Sequence, residues 1–83
     1  MGWVRNAKSD ALAREAGKAR ANGQQVFAVK LNYPGSKADF SGEVADWSAM
    51  IEAVESQGWA LCHFAGAADT KGRPEALCVF RPR

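Results

Sequence analysis

The sequence predicts a small α+β domain with the order helix, strand, helix, strand, strand, and three observations carry that reading. A stretch rich in Ala, Lys and Arg runs up to Asn22-Gly23, apolar residues alternate at every second position from Gln25 to Tyr33, and a 3.6-residue period returns between Val44 and Gln57. Two further strand-like runs follow. With 83 residues, the chain fits one core, because a domain of this size hides only roughly 60–65% of its extended surface. The expected unit is residues 1–83, with an N-terminal helix over 1–23 and a strand-helix-hairpin core over 24–83.

Taken in order, Asn6 to Asn22 is expected as a helix of about four or five turns, stopped by Asn22-Gly23. Its apolar stripe is thin, with Leu12, Ala16 and Ala19, so loose docking is expected. In the strand from Gln25 to Tyr33, Phe27, Val29, Leu31 and Tyr33 share one face, and Val26, Ala28, Lys30 and Asn32 the other. Pro34-Gly35-Ser36 ends it and opens a polar loop to about Gly42. In the second helix, Trp47, Met50, Ile51 and Val54 form the buried side, with Gly58 as a left-handed C-terminal stop and Asp46 or Ser41 as the cap at the other end. Trp59 to Ala65 and Glu75 to Arg81 make a hairpin joined by Gly66 to Pro74, where Asp69-Thr70-Lys71-Gly72 has turn composition. The result is a three-stranded, mainly antiparallel sheet with the second helix packed on one face, over Phe27, Val29, Leu31, Trp59, Leu61, Leu77 and Val79.

The opposite face would then carry Val26, Ala28, Ala60, Cys62, Phe64, Ala76, Cys78 and Phe80. That is too much apolar surface for a small monomer to leave bare. The first helix, a second copy pressing sheet on sheet, or a foreign partner could each cover it, and a homodimer is the preferred state. The expected interface is Val26, Ala28, Cys62, Phe64, Cys78 and Phe80, with Trp3 either an anchor for a partner or a staple at the start of the first helix. The loop residues Phe40 and Lys37 are the expected adaptable contact, with Phe40 equally able to fold back into the core.

Apolar residues make up 47% of the chain and charged residues 24%, proportions that argue against wholesale disorder. The net charge of +2 is unevenly spread. Residues 1–23 set five cations against two anions, residues 34–58 one against five, and the segment from Asp69 onward four against two. No apolar run long enough for a signal peptide or a membrane span is seen, which places the expected location in the cytoplasm. Two cysteines, Cys62 and Cys78, are too few for a secreted disulfide scaffold and read as reduced, buried thiols. If the hairpin paired symmetrically about Thr70, they would be cross-strand neighbours, with Leu61 beside Val79 and His63 beside Leu77.

Catalytic chemistry finds little support. His63 is the only histidine, and adjacent strand residues such as Cys62 and His63 point to opposite sides, so they do not converge on one atom. Two thiols without spaced partners fall short of a zinc site. Glu52 and Glu55 read as solvated charges rather than an acid/base pair. The chain has no phosphate-binding glycine loop, Walker sequence, Gly-x-Ser-x-Gly or His-Glu-x-x-His. The expectation is therefore no enzyme, no cofactor and no metal.

The segment Glu55-Ser56-Gln57-Gly58-Trp59-Ala60-Leu61, followed by Val79-Phe80-Arg81, resembles a family of small bacterial and phage proteins of unknown function. That family is marked by a strand, a helix ending in Gly-Trp-Glu-Leu, and a C-terminal strand ending in Lys or Arg. The likeness spans Val26 to Arg81 and implies a fold and a bacterial or phage accessory role, but no activity. Ala60 departs from it, standing where the family usually has Glu, and the first helix lies outside it. The functional expectation is a non-enzymatic protein-interaction module, a homodimer that binds or inhibits another protein. The alternative is a nucleic-acid-binding accessory protein that uses Arg5, Lys8, Arg14, Lys18 and Arg20. Asp10 and Glu15 interleave with that basic set, and the isoelectric point is only about 8.7.

Overall fold

A computed structural model describes residues 7–35 and 41–83. The Ala-rich segment forms α1 (Ala7–Ala21), and the alternating segment that follows forms β1 (Phe27–Leu31). α2 (Ala45–Glu55), β2 (Trp59–Ala68) and β3 (Pro74–Pro82) complete the expected order. α1 stops at Gly23, whose φ of 79° suits a residue without Cβ. The Gln24 N–H donates to the Ala19 carbonyl at 3.0 Å, the long back-bond of a glycine-terminated helix. Gly58 performs the expected service after α2, with φ 92°. The start of α2 differs from expectation: the N-cap is Val44, with no side-chain cap bond, so neither Asp46 nor Ser41 caps it. Asp46 lies in the first helical turn, where its charge favours the positive end of the helix dipole.

β3, the last strand in sequence, is the central strand in space, giving the order β1-β3-β2 with both pairings antiparallel. The hairpin is tighter and its strands longer than expected, because the Asp69 carboxylate organises the turn. It accepts from the Lys71 and Arg73 N–H groups at 2.9 Å each and pairs with the Arg73 guanidinium at 2.9 Å. Those backbone donors, Arg73's foremost, hold the Asp69 carboxyl below its ordinary value.

Both helices lie on one face of the sheet. This removes α1 from the three candidate covers for the opposite side. Trp59 Nε1 donates to the Ala16 carbonyl at 2.9 Å in the interior, and Ala16 and Ala19 are buried in the same cluster as Met50, Val54 and Trp59. The small side chains that predicted loose docking instead allow α1 to come close. Phe27 stacks on Trp59 with ring centroids 5.5 Å apart.

The sheet faces also need correction. Phe27, Val29 and Leu31 pair with Phe80, Cys78 and Ala76, and cross-strand partners point to the same side. Cys78 and Phe80 are each only 1% exposed and belong to the core; Leu77 and Val79 face outward. The hairpin is not symmetric about Thr70. Leu61 pairs with Phe80, His63 with Val79 and Phe64 with Cys78, with Cys62 as the extra residue at a bulge. Cys62 and Cys78 are therefore not paired neighbours, and the bulge puts Phe64 on the helix side.

Candidate interaction surface

The face of the sheet away from the helices carries Ala28 and Lys30 from β1, Leu77 and Val79 from β3, and His63 and Ala65 from β2, in the rows Ala28-Val79-His63 and Lys30-Leu77-Ala65. Leu77 is 49% exposed. Val26, 40% exposed, continues the alternation of β1 at the rim of the same face. A shallow hollow of about 410 Å³ lies beside Leu77, with Ala28 and the Lys30 stem among its walls. Glu75 and Arg81 share the outward parity of Leu77 and Val79, which makes the face mixed: an apolar centre with charges at its margins.

Of the expected interface residues, Val26 and Ala28 are on this open face, while Cys78 and Phe80 are withdrawn into the core. Phe64 is 46% exposed on the helix side, where its ring meets Trp47 edge-on at 6.2 Å. Cys62 is exposed at the bulge of β2. Trp3, Arg5, Lys37 and Phe40 lie outside the described residues. One signal could have separated the two faces of β3. Glu75 and Arg81 belong to one parity class of that strand, and the class with two charges is the one that faces water.

The basic residues of α1 do not form a single stripe. Arg14 and Lys18 are exposed, and Lys8 is 3.8 Å from Asp46 on α2. Arg20 turns inward, donating from Nε to the Gly58 carbonyl at 2.9 Å and resting 5.6 Å from the Trp59 ring centre. Its guanidinium thus bonds and stacks within the fold.

The thiols differ in setting. Cys78 is buried, and desolvation raises its pKa, whereas Cys62 corrects the expectation of two buried thiols. Glu55, expected as a solvated charge, is engaged at the start of β2. It accepts the Leu61 N–H at 3.1 Å and has the Arg83 guanidinium at 3.9 Å. Among the described residues, no three of His, Cys, Asp and Glu gather as a metal site would require. No helix among them is long and apolar enough to cross a membrane. No family model matches the chain, and no curated protein or solved structure matches it either.

Proposed function

We propose that this chain is a non-enzymatic protein-interaction module, a homodimer that binds or inhibits another protein through the open face of its sheet. A cytoplasmic location, expected from the lack of a long apolar run, and an accessory role in a bacterium or phage, which rests on the Gly58-Trp59 resemblance alone, belong to the same reading.

The observation that carries the reading is the placement of both helices on one side, which leaves Leu77 and Val26 on the other with 49% and 40% of their surface in solvent. An apolar centre with a charged margin is the usual anatomy of a protein contact. The withdrawal of Arg20 into the fold weighs against the nucleic-acid alternative, because it breaks up the basic set on α1.

Sedimentation equilibrium at micromolar concentration is expected to give a dimer, and a pure monomer would end that part of the reading. Partner binding is tested by affinity capture with wild-type and Leu77→Lys baits. The expected result is a protein retained only by the wild type that also binds it when purified. Equal retention by both baits would remove the open face from the proposal.

A further inference from the structure

The edge of β2 is the least defended part of the sheet. It is the longest strand, with ten residues, and has a neighbour on only one side. Soluble monomers blunt such edges with charges, prolines or bulges. From Trp59 to Ala68 there is no Asp, Glu, Lys, Arg or Pro. The other edge, β1, has five residues, one of them Lys30. The two protective devices on β2 both lie at its start: the bulge at Cys62, and the Glu55 carboxylate that already occupies the Leu61 N–H. From His63 to Ala68 nothing comparable is present among the described residues, and every residue there except the half-buried Ala65 is exposed.

We infer that a second copy of this chain occupies this edge, β2 against β2 in antiparallel fashion about a two-fold axis at Ala65. This names the dimer contact that the proposed function requires, and it rests on that reading. Strand parity restricts the axis to a position on a residue rather than between residues. Opposed residues must share a face, so Ala65 meets its own counterpart, His63 meets Ala67, and Phe64 meets Gly66. The last pair is the reason to choose a twin over a foreign strand. Phe64 is an exposed aromatic on the helix side, and among the described residues nothing lies within 4 Å of where a Cβ on Gly66 would stand on that side. Each copy supplies both the ring and the vacancy, and covering an edge glycine with a cross-strand aromatic is a known way of pinning register. No charge meets a like charge in this arrangement.

Size supports it as well. Three strands at about 4.8 Å spacing make an open face roughly 14 Å wide. Joining two copies edge to edge makes six strands and roughly 29 Å. A standard contact of about 800 Å² per partner needs roughly that width. The dimer thereby builds one continuous platform, with Leu77 of both copies on the same side.

Two variants separate this contact from a sheet-on-sheet dimer: Gly66→Glu, on the helix side, and Leu77→Glu, on the open face. Sedimentation equilibrium is expected to show Gly66→Glu raising the dimer dissociation constant about tenfold or more, and Leu77→Glu leaving it unchanged. Amide hydrogen exchange of the wild type supplies a reading that needs no variant, with those amides from His63 to Ala67 that point away from β3 protected in concentrated protein and unprotected on dilution. A dimer that survives Gly66→Glu and is lost with Leu77→Glu, or β2 exchange that does not change with concentration while the protein dimerises, overturns the edge contact and leaves the homodimer standing. A wild type that stays monomeric removes both.

Discussion

Gly58 is where three distant parts of the chain meet. Its carbonyl accepts from Arg20 Nε and from the Arg83 N–H, each at 2.9 Å. Its φ of 92° is one that a side chain resists, and an added Cβ would sit 3.0 Å from Arg20 Nε. Gly58→Ala is expected to cost about 1–3 kcal/mol. Thermal denaturation should register this as a fall of about 4–8 °C per kcal/mol for a domain of this size. The cysteines give a second check at this scale. Iodoacetamide should label Cys62 in the folded protein and reach Cys78 only after denaturation, because Cys78 is buried with its thiol held in the neutral form. Gly58 and Trp59 were legible because a glycine after an amphipathic helix and a tryptophan opening a strand each have one ready structural use. The exposure of Cys62 was not, since a bulge leaves no mark in a run as uniform as Ala60-Leu61-Cys62.

Among the elements, the turn at Asp69 makes a prediction about acid. Its carboxyl is held below the ordinary value, chiefly by the Arg73 N–H. The stabilisation it gives is therefore complete above the unfolded value of 3.8 and lost as pH falls through the lower, folded value. Melting temperature measured downward from about pH 5 should show this loss in the wild type, and Asp69→Ala should flatten that part of the profile. The type and order of all five elements could be read from periodicity and from the glycines that end the helices. The faces of β3 could not, because Leu77 and Val79 are as apolar as Cys78 and Phe80. What separates them is the company of Glu75 and Arg81, which a count of apolar residues passes over. The docking of α1 was missed for a similar reason: Ala16 and Ala19 contribute little area, but they let the helix approach until Trp59 bonds to its backbone.

For the molecule as a whole, the corrected faces separate two apolar residues three positions apart on one strand. Phe80→Ala is expected to cost about 3–5 kcal/mol, because it empties a site in the core. Leu77→Lys should change stability by about 0.5 kcal/mol or less, because half of the Leu77 surface already stands in solvent. Urea unfolding of the two variants measures both. The position of β3 has a further consequence. β1 and β2 flank it without hydrogen bonding to each other, so neither has a hydrogen-bonding neighbour until the last of these three strands to be synthesised slides between them. Until then the pairing that builds the sheet has no template, since every sheet hydrogen bond runs to or from β3. A chain cut before Pro74 should consequently lack a sheet altogether, and a nascent chain stalled there should be digested by protease as readily as an unfolded one.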